Sequence, residues 1–189
     1  MPQKIGVSGN IGSFSEEAAI YYCHKNDITD FKLFHLVSVE NVLTALDKKE
    51  IDTAIFPIEN SNGGIVVEAV YAMSKHNFNI NQMFEIDVKH YLHALPGTKT
   101  SDIKKIASHP QALRQCRMYL KRKWPDTELM EYTDTASAAK DLGAGILPPD
   151  TAVIAPRICA ELYHLEFLDE EIQDLKFNFT TFIAATPAL

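Results

Sequence analysis

Thr53-Ala54-Ile55-Phe56-Pro57-Ile58-Glu59-Asn60-Ser61-Asn62-Gly63-Gly64 is the stretch from which the fold is read. Thr53 to Pro57 is a short, nearly all-apolar run, the pattern of a strand buried on both faces. Glu59, Asn60 and Ser61 end it. Asn60 to Gly64 then makes a turn, because Asn side chains bond the backbone two residues on and glycine takes the backbone angles other residues avoid. A helix through about Lys75 follows. Buried strand, tight turn and helix form the repeating unit of an α/β fold with a largely parallel sheet.

The same alternation extends in both directions. Upstream, Lys4 to Val7 is a short strand. Ser13 and Glu16 form a capping box that opens a helix through about Lys25. Phe31 to Val37 alternates as a strand, and Ser38 caps a helix ending near Lys48. Downstream, Asn79 to Leu95 holds two extended runs and no helix signal, the expected crossing into a second lobe. That lobe has its own order: strand Ile103 to Ser108, helix Gln111 to Lys123, strand Glu128 to Tyr132, helix Thr135 to Leu142, strand Ala152 to Ala155. A helix from Pro156 to about Tyr163 carries proline in its first turn, where no N–H is needed. Glu166 to Asp174 crosses back, and Phe177 to Ala185 adds a strand to the first sheet. Residues 1–78 with 175–189 are thus the expected first lobe and 79–174 the second, with a cleft between them. Ligands of open α/β sheets bind beyond the carboxyl ends of strands. Gly9 to Ser15, Glu59 to Gly64 and Ser108 to Gln111 all fall at such ends.

The chain has 189 residues, 46% of them hydrophobic, enough for one sizeable core or two small ones. Its net charge of −7 argues against nucleic acid or an anionic membrane as partner. The only dense basic run, Arg117 to Lys123, reads as the exposed face of a helix before Trp124-Pro125. Cys23, Cys116 and Cys159 have no paired spacing and read as buried free thiols in a reducing cytoplasm. No Cys/His cluster points to a metal. No signal peptide is visible, and no apolar run approaches the ~18 residues of a membrane helix.

Four motifs in this order, Gly9-Asn10-Ile11-Gly12-Ser13-Phe14-Ser15, Pro57-Ile58-Glu59-Asn60-Ser61, Ser108-His109-Pro110-Gln111-Ala112-Leu113 and Asn178-Phe179-Thr180-Thr181-Phe182, resemble the catalytic domain of prephenate dehydratases. The resemblance runs from about Ile5 to Phe182. It implies a two-lobed α/β fold like that of type II periplasmic binding proteins, with the active site in the interlobe cleft. It also implies a cytoplasmic lyase of phenylalanine biosynthesis that removes the ring hydroxyl and ring carboxylate of prephenate. That reaction requires no metal or organic cofactor; its partner is a small dicarboxylate. Family members commonly dimerise, and the apolar strand 177–185 is compatible with a homodimer. They usually continue into a regulatory ACT module. This chain stops at Leu189, so feedback inhibition through such a module is not expected.

Residue by residue, Thr180 matches the threonine assigned to the departing hydroxyl. Its hydroxyl can donate a hydrogen bond or relay a proton but does not titrate near neutrality. On pattern alone it is a strand threonine bonded to backbone. Glu59 matches a position expected to orient a neighbour or join a proton network. Asn60 and Ser61 can hydrogen-bond a carboxylate, and they equally close an Asx turn. Ser13 and Phe14 open the first helix, whose free N–H groups suit an anion. Ser108, His109 and Gln111 are implied to face the cleft from the second lobe, with His109 able to supply a proton or a positive charge. Thr135 follows Asp134, which reads as a helix cap. Asn178 and Phe182, the first and last residues of that motif, surround Thr180 and are also implied to bind substrate.

Three positions depart from the family pattern. Ser13 stands where threonine is usual, and Ile65 where a small hydroxyl residue is frequent. Thr181 replaces the arginine of the Thr-Arg-Phe motif, which is thought to bind substrate carboxylate. Such a contact contributes ~1.5–3 kcal/mol, so its loss is expected to cost roughly 10- to 100-fold. Lys89, His90, His109 and Arg157 are candidate replacements. In a regular strand Thr181 points away from Thr180. Two alternatives follow from the departure: a prephenate decarboxylase that does not aromatise, or a small-anion-binding relative without chemistry.

Overall fold

The computed structural model describes residues 1–188. In chain order, β1 (Gln3–Val7), α1 (Phe14–Lys25), β2 (Phe31–His35), α2 (Val39–Asp47) and β3 (Thr53–Asn60) make two β-α-β crossovers. A short β4 (Gly64–Ile65) turns back on the end of β3 and leads into α3 (Val67–Met73) and the long β5 (Phe78–Asp87). Then follow β6 (Tyr91–Ala94), β7 (Lys105–Ser108), α4 (Pro110–Gln115), α5 (Arg117–Lys123), β8 (Glu128–Glu131), α6 (Thr135–Gly143), β9 (Thr151–Ala155), α7 (Cys159–Leu162), β10 (Glu166–Asp169) and β11 (Phe179–Pro187).

The chain divides into two units, residues 1–88 with 177–189 and residues 89–176. The first crossing therefore lies ten residues beyond the expected 78/79 boundary. The reason is pairing: β5 runs antiparallel to β11 from Phe78↔Pro187 to Asp87↔Phe179, which commits the whole strand to the first sheet. The sheet order is β2-β1-β3-β11-β5. Only its first three strands are parallel, because β5 and β11 enter and leave the unit at the crossings rather than through helical crossovers. The second sheet, ordered β10-β6-β9-β7-β8, is mixed in the same way.

In the first unit α1 covers one face of the sheet, with Ala18, Ala19, Tyr22 and Cys23 against Ile55, Phe84 and Phe182. The other face carries α2 and α3, with Leu43, Leu46 and Ala69 against Ala54, Phe56 and Ile183. Phe56 and Phe182 are fully buried, each removing enough apolar surface to contribute about 1.5–3 kcal/mol. Ser13, Ser38 and Asp134 cap their helices as expected.

The helix expected over 111–123 is two helices. Cys116 leaves helical geometry (φ −107°, ψ 14°), and the N–H groups of Met118 and Tyr119 turn to the Asp174 carboxylate at 2.7 and 2.9 Å. Asp174 caps α5 from 56 residues away, which no local pattern announces. All three cysteines are free and buried. Among the described residues no helix is long and apolar enough to cross a membrane.

Candidate functional site

The end of β3 and the start of β11 meet in a buried polar cluster. Thr180 lies directly across from Asn60, and Asn178 precedes the strand; their exposures are 8%, 5% and 0%. Asn60 Nδ2 donates to Thr180 Oγ1 at 2.9 Å, to Asn178 Oδ1 at 3.0 Å and to the Phe179 carbonyl at 3.2 Å. The amide cannot be turned over, because its Oδ1 already accepts from the Asn62 and Gly63 N–H groups. Asn178 is fixed from its other end, where Nδ2 donates to the Val88 carbonyl at 3.1 Å. Thr180 Oγ1 is thus an acceptor within the cluster. Its own proton meets no acceptor among the described residues and is left to donate elsewhere.

A bulge decides which motif residue faces Thr180. Thr181 pairs with Glu59 but Phe182 pairs with Pro57, so Ile58 is the extra residue on β3. The bulge shifts the alternation by one. Asn60, Thr180 and Ile86 share the α1 face, whereas Glu59, Thr181 and Glu85 share the other. Glu59, expected to orient a neighbour or join a proton network, is therefore exposed on the side of the sheet opposite Thr180. Thr181 also points away from Thr180, with its hydroxyl 3.4 Å from Glu85 Oε1. An arginine at 181 would stand between two carboxylates, not beside the Thr180 hydroxyl.

Ser61 is a backbone clamp: its N–H reaches the Phe179 carbonyl at 2.8 Å and its Oγ accepts from the Phe179 N–H at 3.0 Å. Phe182 is core, stacked on Phe84 with centroids 6.0 Å apart. Phe14 packs half-buried against the same cluster.

The entrance to α1 is tightly folded. A Cβ on Gly9 would lie 2.2 Å from Ser13 Oγ, so only glycine permits that approach. Ser13 Oγ accepts from the Glu16 N–H, one half of the expected capping box. The other half differs: the Glu16 carboxylate takes the Gly12 N–H and its second oxygen meets His35 Nε2 at 2.9 Å. The helix entrance thus already holds a carboxylate of its own.

In the second unit the expected residues divide by environment. Ser108 is fully buried and donates to the Ile154 carbonyl at 2.6 Å, which ties β7 to β9 instead of presenting a donor. His109 caps α4, its Nδ1 accepting from the Gln111 N–H. Burial, and then the Arg114 guanidinium, hold its pKa below the usual histidine value, so the ring is neutral at pH 7 and supplies no fixed positive charge. Gln111 and Thr135 open α4 and α6 and are half-buried. Of the candidate replacement cations, Lys89 pairs with Glu171 and Arg157 with Glu170, each at 2.7 Å. His90 is 2% exposed and bonded to Gln115, and burial lowers its pKa.

Asn62 was not among the expected site residues. Its Nδ2 donates to the Phe177 carbonyl and to Asn178 Oδ1, at 2.9 and 3.3 Å, completing the amide cluster. Its only local sign is its place two residues after Asn60 in the turn.

The family model for prephenate dehydratase matches residues 5–187. Arogenate dehydratase 5 of Arabidopsis thaliana, chloroplastic, is 39% identical over 180 residues, covering 95% of this chain and 41% of the relative. The prephenate dehydratase of Lactococcus lactis is 32% identical over 179 residues, covering 95% of this chain and 62% of the relative. The prephenate dehydratase of Arthrobacter aurescens, solved in complex with L-Phe, superposes with a TM-score of 0.88 at 26% identity, covering 98% of this chain and 61% of that one. The chain thus spans less than two thirds of these proteins. Its two-sheet α/β fold is of the periplasmic-binding-protein-like class. A matched family model over almost the whole length shows that this chain belongs to the prephenate dehydratase family.

Proposed function

We propose that this chain is a lyase that converts prephenate to phenylpyruvate, carbon dioxide and water. The observation that carries the reading is the Thr180 hydroxyl, held as an acceptor by Asn60 so that its proton is free to donate. In the reaction the ring carbon–oxygen bond breaks as the ring carboxylate leaves. The electron pair of the broken carbon–carbon bond enters the ring, which becomes aromatic. The departing oxygen carries negative charge and needs a proton to become water. Thr180 donates a hydrogen bond to that oxygen as the charge develops, an interaction stronger in the transition state than in the ground state. A threonine hydroxyl is too weak an acid to part with its proton outright, so it keeps that proton and the one that turns the departing hydroxide into water comes from solvent.

A second substrate is favoured by one observation: the 39%-identical relative is named for arogenate. Arogenate carries an amino group where prephenate has a keto oxygen, and the leaving groups are the same. The deciding experiment measures turnover on both substrates with the products identified. Phenylpyruvate from prephenate, abolished by Thr180→Ala and retained by Thr180→Ser, supports the proposal. Phenylalanine from arogenate with no turnover of prephenate moves the substrate assignment. A non-aromatic keto acid, or saturable binding without product, overturns the reaction.

A further inference from the structure

The second unit carries a cavity of about 460 Å³ between α4, α5 and the edge strand β8. It contains none of Ser108, His109, Gln111 or Thr135. Its size falls in the range of small-molecule sites. The floor is apolar, formed by the buried Leu113, Leu120 and Trp124. The rim carries Arg114, Arg117 and Lys121. None of these three cations forms an ion pair among the described residues. In a chain of net charge −7, residues 110–125 contain five of the 18 Lys and Arg and no Asp or Glu. The dense basic run is therefore more than a solvated helix face: two of its cations border an apolar floor.

We propose that this groove binds a small organic carboxylate with an apolar body. The carboxylate lies on Arg114, Arg117 and Lys121, and the apolar part covers Leu113, Leu120 and Trp124. Guanidinium groups at a rim recognise a carboxylate by paired, charge-assisted hydrogen bonds. The apolar floor distinguishes such a ligand from a bare inorganic anion. An added peptide strand is the poorer occupant, because the edge of β8 presents Glu128 and Glu131, the usual guard against strand pairing. Glu131 also lines the cavity and could receive an ammonium group. An α-amino acid with an apolar side chain and its deaminated analogue are thus two sources of the same chemistry.

The groove supplies its own reporter, since Trp124 is the chain's single tryptophan. The probes are 3-phenylpropanoate, L-phenylalanine, phenethylamine and inorganic phosphate, titrated into the full chain by tryptophan fluorescence. Both carboxylates are expected to give saturable changes in the high-micromolar to millimolar range, ordinary for an open site. Phenethylamine and phosphate are expected to give none. Arg117→Ala with Lys121→Ala, both at exposed positions, is expected to weaken binding at least about tenfold, and lysine at 117 to restore part of it. Tighter binding of L-phenylalanine than of 3-phenylpropanoate assigns Glu131 to the ammonium; equal binding assigns the site to the carboxylate and apolar body alone. The proposal is overturned by no saturable change with either carboxylate. Equal binding of phenethylamine or phosphate also overturns it, as does binding indifferent to the double substitution. Loss of prephenate turnover in the double variant would assign the groove to the substrate site and overturn it as a separate one, whereas failure of turnover in the unaltered chain bears only on the proposed reaction.

Discussion

Asn60 donates to Thr180 Oγ1 at 2.9 Å from an amide whose oxygen is pinned by the Asn62 and Gly63 N–H groups. The pairing does more than hold β3 to β11. It sets the direction of the Thr180 proton, because a hydroxyl that accepts from a fixed amide must donate elsewhere.

Asn60→Asp tests this direction. The introduced carboxylate keeps the Asn62 and Gly63 contacts with one oxygen, but its other oxygen cannot donate to Thr180. The Thr180 hydroxyl then turns inward to donate to it, and turnover falls on the order of 100-fold, the usual loss for one misplaced catalytic hydrogen bond. Burial raises the pKa of the new carboxyl, so protonation restores a donor and part of the activity returns as pH falls toward 5. Turnover equal to the parent at pH 8 would remove Asn60 from the mechanism.

Thr181→Arg places a guanidinium between Glu59 and Glu85, its neighbours across β3 and β5. Opposite-charge pairs directly across strands contribute roughly 0.2–1 kcal/mol each, so the variant is expected to gain about 0.5–1.5 kcal/mol in denaturant unfolding. The gain shrinks in high salt. Turnover is expected to stay the same. A rise of about tenfold, equivalent to 1.4 kcal/mol, would mean that the arginine reaches substrate after all.

Val37 has φ 70°, and the Ser38 N–H closes a tight turn on the Leu36 carbonyl at 2.8 Å. A β-branched residue is strained there. Its side chain is 57% exposed and contributes little packing. Val37→Gly relieves strain of about 1–3 kcal/mol against a chain-entropy cost of about 0.5–1, for a net stabilisation near 0.5–2 kcal/mol. An unchanged or lower unfolding free energy would show the turn to be unstrained.

His93 is fully buried on β6, its Nε2 donating to the Ala155 carbonyl at 3.2 Å, and its Nδ1 has no partner among the described residues. Burial lowers its pKa to about 4. The unfolded chain therefore binds a proton that the folded chain refuses. Stability is full above the unfolded value near 6.5 and is lost as pH falls through 6.5 toward 4, by up to about 3 kcal/mol. His93→Leu is expected to flatten this acid limb, whatever its effect at pH 7. Parallel stability–pH curves for parent and variant would exclude His93 as the cause.

Much of this was legible before folding was considered. Ser13, Ser38 and Asp134 cap helices because each stands just before a run of helical residues, and the cap is a contact three residues long. Asn60 and Thr180 could be named as site residues from their motifs. Their shared direction could not, because it depends on the bulge at Ile58, and a bulge exists only relative to a partner strand. The same holds for the split between α4 and α5: the carboxylate that caps α5 comes from Asp174.

By itself, then, the amino-acid sequence determined the order of strands and helices, the family and the motif residues, because these rest on period, capping and turn chemistry within a few neighbours. Tertiary structure alone decided which side chains share a face. It sent Glu59 and Thr181 to one side of the sheet and Asn60 and Thr180 to the other. It moved the unit boundary to Val88 by pairing β5 with β11, and it gathered three cations around Trp124. The physical reason is that strand alternation has a period of two, so one inserted residue or one distant pairing reverses every side chain beyond it.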